Sequence, residues 1–251
     1  MMSLTVTDGL ILRERKISEN DRLITVLTSE HGVIRAFASG ALKVTSKRLS
    51  ATGHLSYSRL TLNFSRDTYK VRDALVNKVF FGLRESIEKY ALSCYFCELC
   101  EYLAPQDEPA EDFLRLILNS LYLLSESKLP DNIIKSVFEL KICQLCGYMP
   151  ELGACCGCGE DTNSGYFDIS AGALYCEKCK KNGEYLSEPL LAAMRHIIYS
   201  PDNKIFSFKL GEGNAERLSD IASRFTVTHT ENEYKTLNFY KSVAFTDTEM
   251  I

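Results

Sequence analysis

Four cysteines in the middle of the chain have the spacing of a metal site. Cys155 and Cys158 form one C-x-x-C pair, Cys176 and Cys179 form a second, and 17 residues separate the pairs. Two residues between the cysteines of a pair let the backbone turn back, with Gly157 inside the first turn, so that both thiolates reach one ion. Because all four ligands would be thiolates, the pattern predicts a structural Zn²⁺ rather than a catalytic one, which keeps a coordination position open.

Five of the other cysteines offer alternatives. Cys143 and Cys146 form another C-x-x-C pair, but they end an apolar helical pattern in which cysteine behaves as a small hydrophobic residue. Whether either competes as a metal ligand stays open. Cys94, Cys97 and Cys100 recur at i, i+3 and i+6 within a strong helical pattern, which favours a helix core over an iron–sulfur cluster.

The first 80 residues read as five short β-strands. The strand patterns cover residues 4–15, 22–28, 33–38, 55–64 and 69–76. Apolar and polar side chains alternate along the last two patterns, as expected of strands with one buried face. Turns and one longer polar stretch connect the strands, which is typical of a small closed barrel of the OB or SH3-like kind.

After the strands the hydrophobic period becomes helical. Helices are predicted over 83–99, 113–124, 130–147, 187–199, 213–226 and 230–243. The glycine-rich segment between the third and fourth of these helices carries the four spaced cysteines and a predicted hairpin. The hairpin is too small to fold by burial alone, so metal binding would stabilise it. We predict an α+β chain with a barrel over 1–78, a helical domain over 79–150 and 184–251, and an inserted zinc module over 151–183.

Charge is unevenly distributed along the chain. Residues 1–80 hold 13 Lys and Arg against 7 Asp and Glu, a net charge of +6, whereas the whole chain carries −4. A basic first third on an acidic remainder indicates a polyanionic partner.

A barrel of the OB kind binds a nucleic-acid strand along one face through phosphate contacts and base stacking. Tyr57 and Tyr69 are candidates for stacking. Any one of the candidate phosphate contacts could be an ordinary solvated side chain. The prediction of DNA binding therefore rests on all of them together. The set is Arg35, Lys43, Lys47, Arg48, Arg59, Arg66, Lys70 and Arg72.

Several function classes lack their sequence signals. The chain has no G-x-x-x-x-G-K-[ST], G-x-G-x-x-G or H-E-x-x-H motif, and its four histidines are scattered. We therefore expect no catalytic residues and no enzyme. No apolar run approaches the roughly 18 residues of a membrane span, and the N-terminus lacks the form of a signal peptide, so we expect a cytoplasmic protein without a membrane partner.

Short motifs follow one another in order along nearly the whole chain. They are Gly9-Leu10-Ile11-Leu12-Arg13, Glu19-Asn20-Asp21, Leu27-Thr28-Ser29-Glu30-His31-Gly32, Ala38-Ser39-Gly40-Ala41, Gly147-Tyr148-Met149-Pro150-Glu151-Leu152 ahead of the first cysteine pair, and Ala171-Gly172-Ala173-Leu174-Tyr175-Cys176. Together they resemble the RecO family of bacterial DNA repair proteins.

The resemblance implies an N-terminal OB-fold, a helical body, and a zinc module held by Cys155, Cys158, Cys176 and Cys179. It also implies a nucleoid-associated recombination mediator that binds single- and double-stranded DNA and anneals complementary strands without ATP. Such proteins associate with RecR and with single-stranded-DNA-binding protein and assist in recombinase loading. Two other classes fit the sequence: a zinc-stabilised protein–protein adaptor, and a transcription or translation factor with OB and zinc-ribbon modules.

Overall fold

A closed barrel of five strands occupies the first third of the chain. The computed structural model describes residues 3–65, 68–180 and 182–244. The strands follow one another around the barrel in the order β1-β2-β3-β5-β4. They are β1 (Ser3–Lys16), β2 (Arg22–Thr28), β3 (Gly32–Ala38), β4 (Ser56–Ser65) and β5 (Thr68–Val79). The β3–β5 pair is parallel and the others are antiparallel, so a short parallel seam closes the barrel.

Alternating side chains fill the barrel. Its core is a cluster of small and branched apolar residues, which includes Ile24 and Val26 of β2, Ile34 of β3, and Leu60 and Leu62 of β4. Because successive residues of a strand point to opposite faces, the residues between these core positions lie on the outer surface of the barrel.

The chain separates into two compact units. One, the barrel unit, is Met1–Glu126 together with Tyr234–Ile251, and the other, the cysteine unit, is Ser127–Glu233. The predicted class, α+β with an N-terminal five-stranded barrel of the OB type, a helical part and a four-cysteine cluster within it, is confirmed.

Three long helices belong to the barrel unit: α2 (Ile87–Leu103), α3 (Glu111–Ser125) and α7 (Lys235–Ala244). The α2 helix begins after Ser86, whose hydroxyl accepts a hydrogen bond from the Lys89 N–H at 3.3 Å. The first turn of α7 is held by Glu98, whose carboxylate accepts the Thr236 N–H at 3.1 Å. These contacts join α7 to α2 despite their separation in sequence.

A four-residue helix, α1 (Arg48–Ala51), lies in the polar stretch between β3 and β4. Arg22, only 3% exposed, donates from its guanidinium to the carbonyl oxygens of Leu49 (3.2 Å) and Thr52 (2.9 Å). Those carbonyls end the helix and have no partner within it, so a side chain from β2 stabilises α1. The sequence pattern did not predict this helix because its main support comes from a distant residue.

The cysteine unit combines three helices with a small sheet. The helices are α4 (Asp131–Leu145), α5 (Glu188–Tyr199) and α6 (Glu212–Thr230), and the sheet has the order β7-β6-β8, formed by β6 (Gly165–Asp168), β7 (Ala173–Tyr175) and β8 (Glu184–Leu186). The predicted hairpin is the β6–β7 pair. Strand β8 was not predicted because three residues are too few for a periodic signal.

A buried polar network joins α4 to α6. Lys135 and Glu139 are 2% and 0% exposed, and their charged groups lie 2.9 Å apart. The Lys135 ammonium also donates to the Ser219 carbonyl at 3.1 Å, and the Ser223 hydroxyl donates to the Glu139 carboxylate at 3.1 Å. The two charges therefore satisfy each other within a network that includes serines of α6.

Among the helices of the described residues, none combines the length and the hydropathy that a bilayer crossing requires.

Candidate functional site

The four cysteines predicted as ligands meet at one point. All four Sγ atoms lie within 4.8 Å of one another, and those of Cys158 and Cys176 are 3.8 Å apart. A Zn–S bond of about 2.3 Å in a regular tetrahedron gives a sulfur–sulfur distance of about 3.8 Å. All four residues are free thiols. The donor set and its spacing therefore fit one thiolate-bound metal ion.

Backbone N–H groups orient this cluster. The N–H groups of Gly157 and Cys176 point at the Sγ of Cys155, at 3.4 and 3.2 Å. The Cys179 N–H donates to the Cys176 carbonyl at 3.1 Å and closes the second turn. Each C-x-x-C pair is thus a tight turn that directs its sulfurs to the same side.

The thiols of the cluster differ in acidity. The hydrogen bond from the Cys176 N–H lowers the pKa of the Cys155 thiol to about 6. Hydrogen bonds of the Cys179 thiol to Cys158 and Cys176 raise the pKa of Cys179 to about 12. Four sulfurs this close cannot all be thiolates unless a cation offsets their repulsion, which a metal ion would supply.

Gly157 permits the close approach of the two turns. A Cβ atom at this position would lie 2.7 Å from the Cβ of Cys179 and 3.0 Å from its Sγ. The spacing of Cys155 and Cys158 places Gly157 inside the first turn, but the contact of Gly157 with the second pair is visible only in the structure.

The alternative cysteines lie outside the cluster. Cys143 is buried in α4 and its thiol donates to the Thr226 hydroxyl at 3.5 Å. Burial raises the pKa of Cys143 to about 12 and that of Cys146 to about 11, which opposes the ionisation that metal binding needs. Cys97 and Cys100 are buried within α2, and burial raises the pKa of Cys97.

The predicted DNA-contacting cations on β3 and β5 share the outer surface of the barrel. Arg35, Lys70 and Arg72 are exposed. The parallel pairing sets Phe37 opposite Lys70, so the outward residues of the two strands lie side by side. Phe37 was not among the predicted contacts, although it follows Arg35 at the two-residue spacing of an outward position.

A loop over residues 39–47 leads from β3 to α1 and carries the exposed cations Lys43 and Lys47. The Asp21 carboxylate accepts the Gly40 N–H at 2.7 Å and the Ser39 hydroxyl at 3.1 Å. The Gly40 bond, above all, lowers the pKa of Asp21. Asp21 therefore holds the start of the loop in place. These bonds join two of the sequence motifs, Glu19-Asn20-Asp21 and Ala38-Ser39-Gly40-Ala41.

Arg48 links this loop to β5. Its guanidinium donates to the Val71 carbonyl at 3.1 Å, and the side chain is half-buried. A Cβ atom on Gly40 would lie 3.7 Å from Nη2 of Arg48 and 3.8 Å from Cε of Lys43, so the two side chains approach the same point. We call the exposed set Arg35, Lys43, Lys47, Lys70 and Arg72, with Arg48 beside it, the cationic face.

One predicted contact, Arg59, does not join the cationic face. Arg59 of β4 pairs with Asp8 of β1 through hydrogen bonds of 3.0 and 3.1 Å, and Asn77 donates to the same carboxylate at 3.1 Å. The bonds from Arg59 lower the pKa of Asp8, so this guanidinium already has an anionic partner. Arg66 lies outside the described residues.

The two tyrosines predicted to stack on bases are both half-buried. Tyr69 lies against Phe64, with ring centroids 4.7 Å apart. Tyr57 lies on the outer side of β4, where Leu10 of β1 is its paired residue.

Comparison with known proteins covers nearly the whole chain. The family model described as recombination protein O N terminal matches residues 2–80, and the one described as recombination protein O C terminal matches residues 84–238. The chain is 29% identical to the DNA repair protein RecO of Acetivibrio thermocellus over 246 residues, 96% of this chain and 98% of that protein. It is 30% identical to the RecO of Pelotomaculum thermopropionicum over 242 residues, 95% of this chain and 94% of that protein. The chain therefore belongs to the recombination protein O family.

Proposed function

We propose that this protein is a recombination mediator that binds single- and double-stranded DNA and anneals complementary strands without ATP. Its family places it in DNA repair and recombination. The cationic face is the observation that carries the DNA-binding proposal, because its cations come from two adjacent strands and an anchored loop.

Phosphate neutralisation explains both binding and annealing. Each Lys or Arg that contacts a phosphate releases a condensed counterion, so affinity falls as salt rises. Two complementary strands held by cations repel each other less than two free strands do. Annealing then needs no nucleotide hydrolysis, and we propose that the protein is not an enzyme.

We propose that Cys155, Cys158, Cys176 and Cys179 hold a structural Zn²⁺. Zinc would join the two C-x-x-C turns into one folded module, because a sheet of ten residues buries too little apolar surface to fold alone. Four thiolate ligands leave no open position for substrate, so the ion would have no catalytic role.

We also propose that the protein acts in the nucleoid with RecR and single-stranded-DNA-binding protein in recombinase loading, as the resemblance of its motifs implies. Retention of purified RecR on the immobilised full chain tests that association. No retention at low salt would contradict it.

The DNA proposal is tested with the purified full chain and two complementary oligonucleotides, without ATP. We expect annealing at low salt, with a rate that falls steeply as NaCl is added, and one zinc per chain by elemental analysis. Absence of annealing, or a rate that salt does not change, would contradict the DNA proposal, and absence of zinc would contradict the metal proposal.

A further inference from the structure

A cavity of about 520 Å³ opens beside the cationic face, within the barrel unit. Arg35, Phe64 and Tyr69 line its barrel side. Its other side is formed by the end of α2 and the segment that follows, which contribute Glu101, Gln106 and Asp107. The volume lies within the range of pockets that enclose a small organic molecule.

The barrel side presents a fixed aromatic surface. The rings of Phe64 and Tyr69 lie 4.7 Å apart at an interplanar angle of 43°. Tyr69 packs against the barrel core and is half-buried, and this burial raises the pKa of its hydroxyl. The Tyr69 ring also lies 6.4 Å from the His31 ring and lines the cavity. A neutral aromatic ring held in place at a cavity is a surface on which a nucleobase stacks.

The opposite wall is held against the barrel at both ends. The Val33 N–H donates to the Pro105 carbonyl at 2.8 Å, and the Ala110 N–H donates to the Ser29 carbonyl at 2.8 Å. Asp107, between these anchors, has a φ of +56°, a conformation that Asp and Asn tolerate better than most residues. The anchors keep its carboxylate at the cavity.

The charges of the cavity select the part of a nucleotide that can enter. Arg35 lines the barrel side of the cavity, belongs to the cationic face and attracts phosphate. Glu101 and Asp107 line the other side and repel phosphate, so a strand on the cationic face would keep its backbone on the cations and turn a base towards the carboxylates. Glu101 also lies 3.6 Å from the Arg13 guanidinium, which leaves Asp107 as the principal acceptor for a ligand.

We propose that this cavity binds one unstacked base of the DNA held on the cationic face, which rests on the proposed function. The base stacks on Tyr69 and donates its exocyclic amino group to Asp107. A carboxylate accepts such a donor from cytosine, and adenine and guanine also carry one, whereas thymine does not. The cavity therefore favours amino-bearing bases over thymine.

The test measures the affinity of the full chain for three probes of equal length: oligo-deoxycytidine, oligo-deoxythymidine and an abasic deoxyribose-phosphate oligomer. We expect the wild type to bind all three, with deoxycytidine tightest and the abasic oligomer weakest. Tyr69→Leu should weaken deoxycytidine binding about tenfold, as expected for one lost stacking contact, and leave the abasic probe unchanged. Tyr185→Leu, at an exposed tyrosine of the cysteine unit, should change neither.

Asp107→Asn is the second variant, because it keeps the shape and the backbone conformation of Asp107. It should reduce the preference for deoxycytidine over deoxythymidine. An equal gain for all three probes would show only the loss of a repulsive charge and would overturn base recognition. Equal wild-type binding of all three probes would also overturn the inference but leave the proposed function standing, whereas no binding of any probe would contradict the proposed function itself.

Discussion

A missing side chain at Gly157 lets the two halves of the cysteine cluster meet. In Gly157→Ala the added Cβ would lie 2.7 Å from the Cβ of Cys179, so the turns must separate. We expect about a 10- to 100-fold loss of zinc affinity, the range seen when the surroundings of metal ligands are disturbed. Competition with a chromogenic chelator measures it. Gly153→Ala is the control, because its Cβ would meet its nearest atom at 3.9 Å, and equal affinities in both variants would argue against this role.

The Lys135–Glu139 pair gives a second prediction for single residues. Lys135→Met removes the cation beside a fully buried carboxylate and should lower the free energy of unfolding by about 3–5 kcal/mol. Lys135→Met/Glu139→Leu removes both charges and should recover most of that loss. Urea unfolding of the two variants and the wild type measures the difference. A double variant as unstable as the single one would refute the pairing.

Arg59 shows why single residues are hard to judge from sequence alone. The strand pattern correctly places it on the outer surface, but its partner Asp8 lies 51 residues away along the chain. Local periodicity carries no information about a partner at that distance. The spacing of the cysteines, in contrast, is local within each pair, and it identified all four members of the cluster.

The Arg59–Asp8 pair also makes a testable distinction. Arg59→Ala/Asp8→Asn keeps the net charge and removes a pair that is already neutral, so DNA affinity should stay unchanged. Lys70→Ala removes an exposed cation of the cationic face and should lower DNA affinity severalfold. Fluorescence anisotropy with a labelled oligonucleotide compares them. Equal losses in both variants would place Arg59 among the phosphate contacts.

Among the elements, the connection from α1 to β4 carries a titratable group. His54 in this segment faces Tyr90 of α2, with Nδ1 3.3 Å from the hydroxyl, and burial lowers the pKa of His54 from 6.5 to about 4. The unfolded chain therefore binds a proton that the folded one does not bind between these pH values. Stability that is present above pH 6.5 is lost as the pH falls towards 4.

Between pH 7 and pH 5 this loss should reach at most about 2 kcal/mol, because the ring remains partly exposed. His54→Gln should show a smaller decrease over the same interval. Urea midpoints at the two pH values measure the effect for both proteins. An identical pH dependence would assign the acid sensitivity to other groups.

The elements divide into those that the sequence pattern reveals and those that it does not. The five barrel strands and the six longer helices were predicted, because each has enough residues for an apolar period to appear. Helix α1 and strand β8 were missed. The first depends on the Arg22 guanidinium and the second on pairing with β6, and both are tertiary contacts.

For the whole molecule, charge distribution connects composition to function. Residues 1–80 carry a net charge of +6 although the chain carries −4, and this asymmetry predicted a polyanion-binding barrel. Composition could not show that the cations of β3, β5 and the anchored loop form one face. That arrangement follows from the parallel β3–β5 seam, which joins residues far apart in sequence.

The central claim is that the cationic face binds DNA through its phosphates. The most direct test is the slope of log affinity against log NaCl concentration for a single-stranded oligonucleotide. Lys70→Ala/Arg72→Ala should reduce the steepness of that slope by about 1.4, or ~0.7 for each lost phosphate contact. The control, Lys204→Ala/Lys209→Ala, removes two exposed lysines of the cysteine unit and should leave the slope unchanged. The same slope for the wild type and both variants would contradict the account.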